Sequence, residues 1–152
     1  MDRAGQLGRL RAWAAEQPSL EHLLSGGWVL YAEWLWMTHG TPYDKLPSFL
    51  VSLDLWHPRL GFADVATRDD RCARAGLCVP PRLFQGRLLS TARVLDLLGA
   101  SAWSTEAPAE GLIVRRQDGK RAKVVAASYV RRDDADWSRS AAYNTISTRP
   151  VR

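Results

Sequence analysis

Three short segments carry side chains able to handle a phosphorylated ligand. Leu30-Tyr31-Ala32-Glu33-Trp34-Leu35-Trp36 sets a carboxylate among two tryptophans and a tyrosine. On a central strand Glu33 must be hydrogen-bonded, paired or bound to a ligand, because burying a lone carboxylate is costly. On an edge strand it would face water. Glu110-Gly111-Leu112-Ile113-Val114-Arg115 puts a second glutamate at the mouth of an apolar strand, beside a glycine that permits close backbone approach. Such a carboxylate can face a metal or a nucleotide, although four-residue apolar strands flanked by charge are also common without any ligand. Lys120-Arg121-Ala122-Lys123-Val124-Val125 supplies Lys123, which a turn at Asp118-Gly119 returns beside the Glu110 strand. That pairing sets a cation next to a carboxylate. The alternative is a lysine on the wet surface of a ribbon.

Composition narrows the chemistry further. The chain has 152 residues, 46% hydrophobic and 24% charged, the size and balance expected of one soluble globular domain. Two cysteines, Cys72 and Cys78, are too few for a disulfide framework or a four-ligand zinc site. The histidines His22, His39 and His57 lack metal-ligand spacing. No run of about 20 apolar residues predicts a membrane span, and the first residues lack the apolar core of a signal peptide. The expected location is therefore cytoplasmic.

Of the net charge of +5, residues 1–109 contribute nothing, with 11 basic and 11 acidic side chains. Residues 110–152 hold 10 basic and 5 acidic ones. Clustered arginine, Arg115, Arg131 and Arg132 among it, suits a polyanion, with nucleic acid or a nucleotide phosphate first. A solvated basic face is the plainer reading. Lysine is scarce, only Lys45, Lys120 and Lys123, and none precedes Glu33. Arginine stays protonated and cannot replace lysine as a nucleophile.

The elements that must position these groups follow from periodicity. Leu7, Leu10, Trp13 and Ala14 predict a helix closed by Pro18, and Ser19 is the expected cap of a short turn through Leu24. Residues 28–36 and 49–56 read as strands, the first as a central one, with a loop over 38–47 between them. Residues 69–75 read as a helix capped by Thr67 and ended by Gly76. Residues 78–81 read as extended, and 90–99 as a helix capped by Ser90-Thr91. Residues 111–116 and 121–126 form a hairpin, and 129–137 are helical or irregular. One α+β domain is expected, mainly antiparallel with flanking helices. It divides into a helical lead-in (1–27), a sheet and helix core (28–126) and a basic C-terminal segment (127–152).

Taken in order, these segments resemble the ATP-dependent RNA ligase family of covalent nucleotidyltransferases over residues 28–137. The family pattern of Gly-Glu-Trp-Leu-Tyr, then His, then Tyr-Asp-x-Leu-Pro reads here Ala32-Glu33-Trp34-Leu35-Trp36, His39 and Tyr43-Asp44-Lys45-Leu46-Pro47. A strand ending in an aromatic-Asp pair reads Leu53-Asp54. Glu-Gly-x-Val-x-Arg reads Glu110-Gly111-Leu112-Ile113-Val114-Arg115. A lysine strand leading to aromatic-Val and Trp reads Lys123, Tyr129-Val130 and Trp137.

The resemblance implies an ATP-grasp-like nucleotidyltransferase fold, ATP and Mg2+ as cofactors, and RNA ends as substrates. In the family, the lysine of a Lys-x-Asp-Gly motif attacks the α-phosphate of ATP to give lysyl-AMP. The AMP passes to an RNA 5′-phosphate, and a 3′-hydroxyl displaces it. By likeness, Glu33 holds the ribose, Glu110 positions a metal or the nucleotide, Lys123 contacts the α-phosphate, and the strand around Leu53 walls the adenine pocket.

Departures from the pattern are specific. No Lys-x-Asp-Gly occurs. Ala32 replaces the usual glycine, Leu53 an aromatic that lies against the base, and Val125 the second lysine of a Lys-x-Lys pair. The expectation is an incomplete, N-terminally truncated ligase domain that cannot self-adenylylate alone, its Lys-x-Asp-Gly half missing or supplied by a separate chain. The alternatives are a non-catalytic RNA-binding module using residues 115–139, or the product of a disrupted ligase gene.

Overall fold

In the computed structural model, residues 3–38, 40–87, 90–127, 129 and 142–147 are described. Two helices lead in, α1 (Arg3–Ala15) and α2 (Pro18–Leu24). Proline sits at the first position of α2, where its missing N–H costs nothing. Gln17, at the N-cap, makes no side-chain cap bond. Ser19, expected to be the cap, instead donates to the Ala75 carbonyl at 2.8 Å and ties α2 to the end of a later helix.

The chain then enters β1 (Val29–Trp34), crosses a long loop and returns as β2 (Leu50–His57), with β3 (Gly61–Phe62) following. The sheet is antiparallel in the order β1-β2-β3, so β2 is central and β1 is an edge. Sequence reasoning read residues 28–36 as a central strand, with an edge position as the alternative, and the edge position is the one found. The burial of β2 shows which strand holds the centre, since Leu50, Val51, Ser52, Asp54 and Leu55 are all buried. Cys78 pairs with Val51 in a single parallel bridge, all that the expected extended segment contributes.

One irregularity governs the faces of this sheet. Tyr31 lies opposite Asp54 and Ala32 opposite Ser52, leaving Leu53 as an extra residue in β2. A bulge of this kind breaks the two-residue alternation. Leu50 and Leu55 therefore bury together, in a cluster with Leu23, Trp34, Cys72, Ala75 and Leu77. The helices α1, α2 and α3 (Val65–Arg74) cover that face. Asp64 caps α3, its Oδ1 accepting from the Thr67 N–H at 2.8 Å, so Thr67 is the capped residue and not the cap. Gly76 ends it with φ +68°.

Glu33 and Val51, directly opposed, lie on the other face. There Leu35, Leu46 and Val51 form a second cluster, with Tyr43, Leu53 and Trp103 packed on it. Past α4 (Thr91–Leu95), which Ser90 caps as expected, the hairpin of β4 (Gly111–Arg115) and β5 (Arg121–Val125) forms a separate two-stranded sheet. Gly119 takes φ +82° at its turn. The architecture is the expected α+β type with antiparallel sheets. Among the described residues no helix is long and apolar enough to cross a membrane.

Candidate functional site

The loop over residues 38–47 brings the three segments together. Asn144, only 3% exposed, organises it from the far end of the chain. Its Nδ2 donates to the carbonyls of Leu35 (2.8 Å) and Met37 (3.2 Å), while its Oδ1 accepts from the Tyr43 N–H (2.8 Å) and the Thr38 hydroxyl (3.1 Å). Asp44 accepts from the Thr105 N–H at 2.8 Å, and the Asp44 and Lys45 N–H groups donate to the Trp103 carbonyl. Held at both ends, the loop points Thr41 and Tyr43 at Glu110. The Thr41 N–H and the Tyr43 hydroxyl each donate to Glu110 Oε1 at 3.2 Å.

Glu33 extends from exposed β1 toward the same place. Crowding by surrounding atoms strips part of its hydration, the negative charge of Glu110 adds to the effect, and Lys123 opposes both. The net result holds its carboxyl above the usual glutamate range. Burial and the charges of Glu110 and Glu33 push the Tyr43 phenol far up as well, so it stays a donor. Glu33, Glu110 and Lys123 thus form one electrostatic unit, although they stand on an edge strand, at a strand mouth and within a hairpin.

A second set of charges fixes the hairpin in position. Asp54, buried on β2, takes Arg115 Nε at 3.2 Å and Arg121 Nε at 3.0 Å. Arg115 and Arg121 are paired across the hairpin, and Lys123 lies two residues on from Arg121, on the same face. Arg115 also donates to the Leu53 carbonyl at 2.8 Å, which the Arg68 guanidinium reaches at the same distance. Arg121 lies over the Phe62 ring, 3.8 Å from its centroid. With its side chain 14% exposed, Arg115 clamps the hairpin onto the sheet, a different position from the surface that sequence reasoning gave it. Arg131 and Arg132, like His39, Val130 and Trp137, lie outside the described residues.

Gly111 serves this hairpin too. A Cβ there would collide with the Val124 carbonyl oxygen, so the close approach permitted by the missing side chain is to the neighbouring strand. Gly40 leaves room for the Tyr129 hydroxyl, adding a second tyrosine beside Tyr43. Leu53 packs on the cluster next to Glu33's face. Among the described residues no three His, Cys, Asp or Glu side chains gather as a metal-ligating group.

Sequence reasoning missed Asn144, Thr41 and the role of Tyr43. The only signal for Tyr43 was its place in Tyr-Asp-x-Leu-Pro, and Asn144 had none, because a partner about 100 residues away leaves no trace in local spacing. A family model described as RNA ligase matches residues 3–125. No curated protein and no solved structure matches the chain.

Proposed function

Because the chain belongs to the RNA ligase family, we propose that it forms the adenylate-gripping part of a site that joins RNA ends. Glu33 hydrogen-bonds the ribose, Lys123 neutralises the α-phosphate, Leu53 lies against the adenine, and Glu110 positions a magnesium ion. The observation that carries this reading is the convergence of Glu33, Glu110 and Lys123 from three distant segments, with lost hydration and the Glu110 charge raising Glu33 and the Lys123 cation opposing them.

Magnesium fits the groups present. It is commonly held by one or two carboxylates together with substrate phosphates and water, so a three-ligand protein cage is not required. Bound there it would offset phosphate charge and relieve the repulsion that raises Glu33. Glu110 has one oxygen occupied by Thr41 and Tyr43, which fixes the other in direction.

The lysines do not supply an obvious nucleophile. Lys45 is exposed on the loop, and Lys120 is 74% exposed at the hairpin turn, 3.8 Å from Asp118. Lys123 stands beside Glu33 as a phosphate partner. We infer that the attacking amine comes from a polypeptide segment outside this sequence, whether of the same or another chain. A cytoplasmic location is part of this proposal.

The test is incubation of the purified chain with labelled ATP and magnesium, beside an equilibrium measurement of AMP binding. Reversible AMP binding that Lys123→Ala weakens about tenfold, with no covalent product, is the expected result. A lysyl-AMP on Lys45, Lys120 or Lys123 would overturn the absent nucleophile. Unaltered AMP affinity in Lys123→Ala would overturn the site. A non-catalytic RNA-binding module is the second reading, favoured by Arg116 and Lys120, 68% and 74% exposed at the hairpin tip. It predicts salt-dependent RNA affinity without AMP binding.

A further inference from the structure

Trp36 leaves the sheet just past β1 and carries two unusual neighbours. The Arg9 guanidinium, from the exposed side of α1, lies 4.9 Å from the Trp36 ring centroid. The Tyr143 ring lies 4.8 Å from it, tilted by 44°, and is itself 44% exposed. The backbone beneath is fixed. Met37 and Tyr143 form a bridge, Thr38 N–H donates to the Ala142 carbonyl at 2.9 Å, and Asn144 N–H donates to the Trp36 carbonyl at 3.2 Å.

A half-exposed aromatic ring, set at a tilt against a second ring that itself carries a guanidinium, is a surface on which an unpaired base can stack. Every base has a π-face to stack, and the cation can meet the adjoining phosphate. We propose that Tyr143, backed by Trp36 and Arg9, is a stacking platform for an unpaired nucleotide of the RNA strand being handled. The partner is single-stranded, because a duplex keeps its bases stacked on one another and offers this ring none. The platform is wired to the carboxylate pair. Asn144 Oδ1 accepts from Tyr43 N–H at 2.8 Å, and the Tyr43 hydroxyl donates to Glu110, so a base on Tyr143 stands at a set offset from that site. The inference rests on the reading that the chain handles RNA ends.

The experiment measures binding of the full chain to a short labelled oligouridylate and to an abasic ribose-phosphate strand of equal length. Tyr143→Leu keeps apolar cover on Trp36 but removes the stacking face, and should weaken oligouridylate binding about tenfold while leaving the abasic strand unchanged. Tyr143→Phe should bind like the parent chain. Equal oligouridylate affinity in Tyr143→Leu and the parent overturns the platform, as does an equal loss on both strands. AMP binding, read in the same variants, should stay unchanged. Failure of the platform with intact AMP binding leaves the adenylate site standing, whereas a parent chain that binds neither AMP nor oligouridylate overturns both.

Discussion

The Tyr43 hydroxyl donates to Glu110 Oε1 at 3.2 Å, joining a loop to a strand mouth 67 residues later in the chain. With the Thr41 N–H on the same oxygen, this bond turns a glutamate that begins an apolar strand into an oriented carboxylate. Tyr43→Phe removes the donor and keeps the ring against Trp103, whose centroid is 6.0 Å away. We expect a loss of about 1–2 kcal/mol in urea unfolding, and weaker magnesium-dependent AMP binding measured by calorimetry.

Glu33 is held above its ordinary value of 4.5, by lost hydration first and by Glu110 second. Its protonated form suits the fold better than its ionised form. The associated stability is fully present below the unfolded value and lost as pH rises through the raised folded one. Glu33→Gln should therefore raise Tm at pH 7, flatten the decline of Tm with pH above about 4.5, and weaken AMP binding. Thermal scans across pH, on the parent and the variant, read the first two effects.

Asp54 behaves in the opposite sense. Burial pushes its carboxyl up, but the bonds and charges of Arg121 and Arg115 together outweigh burial and hold it below the usual aspartate range. The stability it contributes is present above the ordinary aspartate value and lost as pH falls through the depressed folded one. Asp54→Asn leaves two largely covered guanidinium groups without their counter-charge and should cost about 3 kcal/mol at pH 7. The difference from the parent should shrink in acid. Amide exchange at Ala122 and Val124 should quicken, since the hairpin loses its clamp.

Asn144→Ala deletes four hydrogen bonds in a site 3% exposed. Buried carbonyls and an N–H left unmatched should cost about 3 kcal/mol or more. Because the loop over residues 38–47 loses its anchor, AMP affinity should fall even where the variant remains folded, as followed by calorimetry below its Tm.

Local chemistry made several features legible in the sequence. Asp118-Gly119 predicted the hairpin, Ser90 the cap of α4 and Gly76 the end of α3, each because a turn or cap depends on residues within a few positions. The grouping of Glu33 with Glu110 and Lys123 was legible only through an ordered resemblance, since nothing in their spacing measures distance through space. Arg115 shows the opposite limit. Its neighbours in sequence are basic, which suggests a wet cationic face, yet its partner is Asp54 on another sheet. Asp54 itself reads as a lone charge in an apolar run, and the two arginines that satisfy it lie over 60 residues away. The edge position of β1 was left open for a similar reason, because aromatic richness reports burial by helices as readily as burial between strands.

The extra residue in β2 gives this strand one position of slack. Without Leu53, Ser52 opposite Ala32 and Asp54 opposite Tyr31 become neighbours on a regular strand, so Asp54 keeps the face on which both guanidiniums wait. A one-residue deletion there would cost the carbonyl that Arg68 and Arg115 share, yet leave the ribbon that carries Lys123 hooked to Asp54. Homologous chains should thus tolerate a one-residue gap at position 53 as well as exchanges there.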